Sequence, residues 1–139
     1  MKPRVFIASS TESSEVARAL QLELDSWTET TIWSQGVVAP SSTILDDLIR
    51  AANNYDFGIF VFSHDDIVRI RSEEFWIARD NIVFELGLFI GEIGKERTFL
   101  VLPRNQEKFH LPSDLAGFTP VTYEAQRADQ NLRAALGPA

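Results

Sequence analysis

The sequence predicts an α/β fold in which a parallel sheet lies between two layers of helices. Short runs of β-branched and aromatic residues alternate with longer segments of helical periodicity, as in strand–helix–strand units. Residues 57–62 are apolar without alternation, as expected for a central strand that is covered on both faces. Five such strands predict a three-layer, flavodoxin-like sheet of order 2-1-3-4-5 with right-handed crossovers.

The first half of the chain supplies two more strands before the central one. Residues 4–8 and 30–33 form short strands, and residues 36–42 form a loop that Pro40 keeps from continuing the second strand. Helices follow each strand, the first capped by Ser13 or Ser14 and the second over residues 43–53. The apolar faces of the two helices predict burial of Val16, Ala19, Leu20, Leu22, Leu24 and Trp27 and of Ile44, Leu45, Leu48 and Ile49.

The second half begins with a polar connection that runs from Ser63 to Trp76 and leads to a helix capped by Asp80 or Asn81. The predicted elements after that helix are a strand at residues 98–102 that Pro103 ends, an irregular connection at 105–118 with one helical turn at 112–116, a strand at 119–123 and a closing helix at 124–136. Because Pro120 lacks a ladder donor, the last strand is expected at the sheet edge.

Composition restricts the class of protein. A chain of 139 residues with 45% hydrophobic residues predicts a single domain over residues 1–139. The absence of cysteine, of a signal-like segment and of a membrane-length apolar run predicts a cytoplasmic protein. A net charge of −7 opposes binding to nucleic acid or to an anionic membrane, so we expect neither as a partner.

One carboxylate, Glu85, lies inside the apolar helix, about one turn from its start, where the helix dipole favours an anion. It either faces a ligand or belongs to a solvated stripe with Asn81, Glu92 and Glu96. Glycines at positions 87, 91 and 94 each cost ~1 kcal/mol relative to alanine, which predicts close packing against the sheet or another subunit.

The predicted strand order places a ligand cleft between strands 1 and 3, where residues 9–14 and 63–66 meet the start of the Glu85 helix. The chain contains neither the glycine fingerprint of redox dinucleotide domains nor a P-loop. Adjacent residues rarely converge on one ion, so His64-Asp65-Asp66 predicts a solvated loop with a capping Asp, and we expect no metal. The hydroxyls of Ser9-Ser10-Thr11 are suited either to phosphate or ribose oxygens or to helix capping.

Three segments carry a family resemblance: residues 5–10 (VFIASS), residues 57–63 (FGIFVFS) and, above all, residues 78–91 (ARDNIVFELGLFIG). They resemble the bacterial TIR-like domains of anti-phage defence effectors, which are associated with STING, SAVED or Pycsar systems. The resemblance covers nearly the whole chain, and its most specific part is the segment from Arg79 to Gly91. It implies a TIR fold that hydrolyses NAD+, taken as substrate rather than cofactor, to nicotinamide and an ADP-ribose product.

The resemblance also implies roles for individual residues. The family's catalytic glutamate falls on Glu85. The substrate-binding residues would be Ser9, Ser10, Trp33, Ser63, Asp80 and Asn81, with Trp33 either stacking on a ring or packing in the core. Residues 36–42 correspond to the loop that bridges neighbouring subunits, so self-association is part of the expected mechanism. A nucleotide-sensing domain or partner chain would supply the trigger, either as the missing part of a larger effector or as a separate polypeptide.

The chemistry of the substrate agrees with a single carboxylate. The nitrogen that joins nicotinamide to C1′ of the ribose is already cationic, so the leaving group departs neutral and no general acid is required, unlike in most glycosidases. Two alternatives remain open at this stage. One is an enzyme like the nucleoside 2-deoxyribosyltransferases, and the other is a non-catalytic TIR module that binds TIR domains or a nucleotide.

Overall fold

The computed structural model describes residues 1–33, 42–105 and 107–139. Its strands are β1 (Arg4–Ser9), β2 (Glu29–Ile32), β3 (Phe57–Val61), β4 (Asp66–Ile70), β5 (Glu73–Ile77), β6 (Thr98–Pro103) and β7 (Val121–Tyr123). Its helices are α1 (Ser14–Leu24), α2 (Ile44–Asn54), α3 (Asp80–Ile93) and α4 (Leu132–Leu136), and short 3-10 helices lie at Thr11–Ser13, Lys95–Arg97 and Ser113–Leu115. The predicted helical turn at 112–116 is therefore present. Most of the predicted loop at 36–42 lies outside the described residues.

The main sheet has the order β2-β1-β3-β6-β7, and every pairing in it is parallel. The predicted fold class and the order 2-1-3-4-5 are confirmed, with β6 and β7 as the fourth and fifth strands. β7 is an edge strand, as expected, but it begins directly after Pro120 rather than at residue 119. In the register of β1 and β3, Ser9 pairs with Val61, so the loops that follow these strands leave the sheet side by side.

Two apolar clusters fill the space between the sheet and its helices. On one face Phe6 and Phe60 pack with Leu86 and Phe89 of α3, and on the other Val5, Ile7 and Val61 pack with residues of α1 and α4. Neighbouring residues of β1 therefore point to opposite layers, as the strand period of two requires. The result is the predicted three-layer arrangement.

Gly58 of β3 is where a helix and the sheet approach most closely. A Cβ atom built on Gly58 would lie 2.7 Å from Cδ1 of Phe89 and 2.9 Å from Cε2 of Phe60. The glycines of α3 have no such neighbour, since a Cβ at Gly87 or Gly91 would meet nothing within 4 Å among the described atoms. The prediction that these helical glycines pack against the sheet is therefore wrong, while contact with another subunit stays a prediction.

The polar connection predicted between Ser63 and Trp76 is wrong, because β4 and β5 form an antiparallel hairpin there. Ile70 pairs with Glu73, and the two residues between them, Arg71 and Ser72, have φ values of 50° and 70°. A two-residue turn with positive φ at both positions matches the twist of a hairpin. The usual glycine or asparagine signal for this turn is absent from the sequence.

The closing helix predicted for residues 124–136 is also wrong in its first half, since α4 spans only Leu132–Leu136. The carboxylates of Glu124 and Asp129 accept hydrogen bonds from the backbone N–H groups of Gln126 and Asn131, and Gln130 has a φ of 54°. Such local side-chain bonds compete with helix formation. Asn131 then caps α4 through the N–H of Ala134.

Two predicted helix faces are buried only in part. In α1 and its end, Leu22 and Trp27 are 57% and 75% exposed, while Val16, Ala19 and Leu20 are buried as expected. In α2 only Leu48 of the predicted face is buried, and the other three predicted residues are exposed. Both helices are short, so a narrow stripe is enough to cover the sheet.

Helix starts also differ from the prediction. Ser13 stands at the cap position of α1, but its hydroxyl makes no capping hydrogen bond. The cap position of α3 is Arg79, and Asp80 is the first residue inside the helix. Glu85 therefore lies in the second turn, so the dipole of the first turn acts on Asp80 rather than on Glu85.

Candidate functional site

The loops that follow β1 and β3 are joined by the carboxylate of Asp65. Its Oδ1 accepts hydrogen bonds from the hydroxyls of Ser10 and Ser63, each at 2.7 Å. Its Oδ2 accepts one from the backbone N–H of Arg79 at 2.9 Å, at the start of α3. One side chain thus holds together the three segments that were predicted to form a ligand cleft. The expectation of a solvated loop is wrong for Asp65, although Asp65 does satisfy the N–H of a helix cap residue.

Arg79 forms two ion pairs in the same region. Its guanidinium bonds the carboxylates of Glu12, at 3.0 Å, and Asp66, at 2.9 Å. These hydrogen bonds, with that to Glu12 the stronger cause, hold the pKa of Arg79 well above its ordinary value. The pKa of Glu12 is lowered, first by a backbone hydrogen bond and then by Arg79. The charge of Arg79 is therefore compensated by two partners.

A cavity of about 400 Å³ opens beside this network, at the carboxyl end of β1 and β2. It differs in position from the predicted cleft between strands 1 and 3, because none of residues 63–66 is among its lining residues. Its lining residues are Ser9, Ser10, Thr11, Ser14, Arg18, Ile32, Trp33, Arg79, Asn81 and Ile82. None of these described lining residues is acidic, although the protein carries a net charge of −7. The cavity combines hydroxyl donors, an indole ring and two guanidinium groups, which is a suitable lining for a nucleotide.

Four predicted substrate-binding residues line this cavity: Ser9, Ser10, Trp33 and Asn81. Ser10 is buried, and its hydroxyl is already engaged by Asp65 and Ser13. Ser63 lines a neighbouring cavity of about 350 Å³ instead. Asp80 lines neither of the two, and its carboxylate accepts the N–H of Asn81.

Glu85 lies one turn further along α3 than the residues that line the cavity. Asn81 and Ile82 contribute to the lining, and Glu85 follows them on the same side of the helix at i+4 and i+3. Its side chain is only 3% exposed, so it does not belong to a solvated stripe. It is not among the lining residues either. The structure therefore brings Glu85 next to the cavity but beneath its surface.

Trp33 packs in the core and also lines the cavity, a position compatible with both of the roles that the sequence left open. Its ring lies 5.7 Å from that of Phe6, in the cluster between the sheet and α3, and it also lines the cavity. Its buried Nε1 has no hydrogen-bond partner among the described atoms. The indole thus forms part of the core and part of the cavity wall.

Sequence reasoning did not single out Asp65 or Arg18 as site residues. Asp65 was missed because two of its three partners, Ser10 and Arg79, lie 55 and 14 residues away in the sequence. Arg18 looked like an ordinary surface residue of an amphipathic helix. Its position four residues after Ser14, one turn from the hydroxyl-rich turn, is the signal that would have identified it.

Among the described residues, no group of three or more His, Cys, Asp or Glu side chains is placed to hold a metal ion. No described helix has the length and apolar character that crossing a membrane requires.

Comparison with known proteins identifies the family. A model of the TIR domain of the CAP12/Pycsar effector proteins matches residues 4–125, which is most of the chain. The chain belongs to the CAP12/Pycsar effector TIR domain family. The resemblance to bacterial TIR-like domains, which was based mainly on the segment from Arg79 to Gly91, is thereby confirmed.

Several curated relatives are similar to this TIR domain over nearly its whole length. It is 42% identical over 137 residues to the Pycsar effector protein PaPycTIR of Pseudomonas aeruginosa, covering 97% of this chain and 44% of that protein. It is 40% identical to the Pycsar effector protein BcPycTIR of Burkholderia cepacia, covering 99% and 45% of the two chains. It is 37% identical to the CD-NTase-associated protein 12 of Flavobacterium daejeonense, covering 89% and 39%. The TIR domain thus spans less than half the length of these relatives.

Proposed function

We propose that this TIR domain is an NAD+ glycohydrolase that acts as an effector in anti-phage defence and becomes active on self-association. Glu85 is its catalytic carboxylate, and NAD+ is its substrate rather than a cofactor. The observation that carries the proposal is the position of Glu85 one helical turn from a cavity of nucleotide-compatible size and chemistry. Membership of the CAP12/Pycsar TIR family supports it.

The reaction breaks the bond between C1′ of the ribose and the nitrogen of nicotinamide. The bonding electron pair stays on that nitrogen, which is thereby neutralised, and positive charge develops on the ribose ring. Glu85 stabilises this oxocarbenium-like charge and orients the ribose hydroxyls. Water then adds to C1′ and loses a proton, which yields ADP-ribose. No group has to protonate the leaving base.

The cavity residues bind the rest of the molecule. Asn81 precedes Glu85 by one turn, where it can contact the ribose. The ring of Trp33 offers a surface for stacking of a base. The hydroxyls of Ser9 and Thr11, which make no hydrogen bond with any described residue, supply hydrogen bonds for the sugar or phosphate oxygens.

Burial of Glu85 supports activation by assembly. A carboxylate that is 3% exposed cannot reach a ribose in the cavity until the side chain or α3 is repositioned. We propose that self-association makes this change, so a single chain at low concentration turns over slowly. The relatives named CD-NTase-associated proteins suggest that a nucleotide-sensing domain or partner chain brings the TIR domains together.

The test is nicotinamide release from NAD+ by concentrated protein in a crowding agent, followed by chromatography. We expect release by the wild type, none above background from Glu85→Gln, and wild-type rates from Glu92→Gln. Glu92 is a matched control because it is an exposed glutamate on the same helix. No release from a folded and demonstrably assembled wild type would contradict the enzyme.

Burial of Glu85 also favours the alternative of a non-catalytic TIR module. In that case Glu85→Gln would leave assembly unchanged, and neither protein would release nicotinamide. An enzyme like the nucleoside 2-deoxyribosyltransferases would instead exchange the base of a deoxynucleoside for a free base. Incubation of the same wild-type sample with a deoxynucleoside and a second base distinguishes this activity.

A further inference from the structure

The cavity beside the Ser9–Ser10–Thr11 turn contains two arginines that differ in their surroundings. Arg79 is engaged by the carboxylates of Glu12 and Asp66. Arg18, on α1, forms no ion pair or hydrogen bond with any other described residue. Arg18 is therefore the cation of this cavity whose charge no described side chain compensates.

The hydroxyl groups of the cavity also differ in whether they have hydrogen-bond partners. Ser10 is taken up by Asp65 and Ser13. Thr11 and Ser14 line the cavity, and their side chains make no hydrogen bond within the described part of the chain. Ser14 lies one turn before Arg18 on α1, so its hydroxyl and the guanidinium share a face of that helix.

From this arrangement we infer that Arg18, together with the hydroxyls of Thr11 and Ser14, binds the diphosphate group of a nucleotide ligand. The inference deepens the proposed function, because NAD+ carries such a group, and it rests on that function for the identity of the ligand. A guanidinium bonds phosphate oxygens in a bidentate manner, and the hydroxyls supply further donors.

The acidity of the protein strengthens the inference. A chain with 20 acidic and 13 basic residues repels an anion on average, so a phosphate-bearing ligand needs a local positive site. The cavity is such a site, because no acidic residue is among its described lining residues and no described side chain pairs with Arg18. The base and ribose would then extend toward Trp33 and Asn81, which line the same cavity.

The test compares binding of ADP and of adenosine to the full chain by isothermal titration calorimetry. Arg18→Gln is expected to weaken ADP binding about tenfold or more, as for loss of a charge-assisted hydrogen bond, and to leave adenosine binding unchanged. Arg97→Gln is the matched control. It removes an exposed arginine just before β6, at the amino ends of the strands, whereas the cavity lies at the carboxyl ends. This substitution should change neither affinity.

Three outcomes would overturn the subsite. These are absence of ADP binding to the wild type, equal ADP affinities of wild type and Arg18→Gln, and an equal loss of ADP and adenosine binding, which would indicate distortion of the cavity. The result is independent of turnover. ADP binding that depends on Arg18, without nicotinamide release from the assembled wild type, would contradict the glycohydrolase and retain the subsite. Release accompanied by Arg18-independent ADP binding would do the reverse.

Discussion

At the residue scale, Asp65 is the side chain on which the geometry of the site depends most. It accepts two hydroxyls and one backbone N–H, from the turn after β1, from Ser63 after β3 and from the start of α3. A carboxylate has acceptor capacity for all three donors and carries no donor of its own. No neutral side chain of the same size accepts three hydrogen bonds without also carrying a donor.

Replacement of Asp65 by asparagine tests that role. The amide oxygen could still accept from Ser10 and Ser63, but the NH2 group would face the N–H of Arg79. We expect a loss of ~1–3 kcal/mol in the free energy of unfolding, because a donor is left without an acceptor. Urea denaturation measures it, with the exposed Asp114→Asn as control. Equal stability of the two variants would show that Asp65 does not organise the loops.

Residues were predicted from the sequence with uneven success. Ser9, Ser10 and Trp33 reach one cavity because they follow from β1 and β2, which pair side by side, and Asn81 joins them from the start of α3. Asp65 was missed because its importance depends on Ser10 and Arg79, which lie 55 and 14 residues away in the chain. The burial of Glu85 was likewise not decidable from a helical wheel, which allowed both a solvated and a ligand-facing side.

At the scale of elements, the packing of α3 on the sheet is set by a glycine in the strand rather than by those in the helix. Gly58 leaves room for the ring of Phe89, whereas Gly87 and Gly91 are exposed. Phe84, on the same helix, is 57% exposed. The sequence showed an unusual number of glycines in α3 but not which glycine the fold requires.

Alanine substitutions separate these positions. Gly58→Ala places a methyl group 2.7 Å from the Phe89 ring, and we expect it to destabilise the protein by ~1–3 kcal/mol. Gly87→Ala has open space and should stabilise α3 by roughly 0.5–1 kcal/mol through helix propensity. Urea midpoints compare the two. Destabilisation of similar size in both variants would refute this account of the packing.

The segment between β7 and α4 is held by local ion pairing and turns. Nε and Nη2 of Arg127 donate hydrogen bonds to the two carboxylate oxygens of Asp129, at 2.9 and 2.6 Å. This pairing, followed by the N–H of Asn131, lowers the pKa of Asp129 from 3.8 to about 2. Because the pKa is depressed in the folded state, the associated stability is present above pH 4 and is lost as the pH falls toward 2.

An NMR titration of the side-chain carboxyl checks this geometry. We expect a midpoint of about 2 for Asp129 in the wild type. Arg127→Gln should raise that midpoint toward 3.8, while Arg133→Gln, whose arginine pairs with Glu23 instead, should not. A midpoint near 3.8 in the wild type would mean that the pair is not formed in solution.

Elements whose apolar pattern is continuous were predicted well, as for β3 and α3. The β4–β5 hairpin and residues 124–131 were not. The hairpin turn at Arg71-Ser72 lacks the residues that usually adopt positive φ. Residues 124–131 have helical composition, but the side chains of Glu124 and Asp129 bond nearby backbone N–H groups instead.

At the scale of the whole molecule, positive and negative charges are distributed unevenly. The net charge is −7, yet the lining of the main cavity contains two arginines and no carboxylate among the described residues. The predicted strand order accounts for the meeting of the ends of β1 and β2 at this cavity, although the sequence placed the cleft between strands 1 and 3. The charge of the cavity could not be predicted, because it depends on which of Arg18 and Arg79 is paired.

We propose that Glu85 is catalytic but stays buried until chains assemble, which makes activity a property of the assembled molecule. Two features agree with it. Glu85 lies beneath the cavity, and exposed apolar residues remain on α2 and α3, as at Ile44 and Phe84. The activity of such an enzyme depends on protein concentration, because assembly precedes chemistry.

The most direct test is the rate of nicotinamide release per chain, measured over a wide range of protein concentration with light scattering on the same samples. We predict that the rate per chain rises steeply where scattering reports assembly, and that Glu85→Gln assembles without releasing nicotinamide. A rate per chain that is constant across the transition, or equal in the variant, would contradict the account.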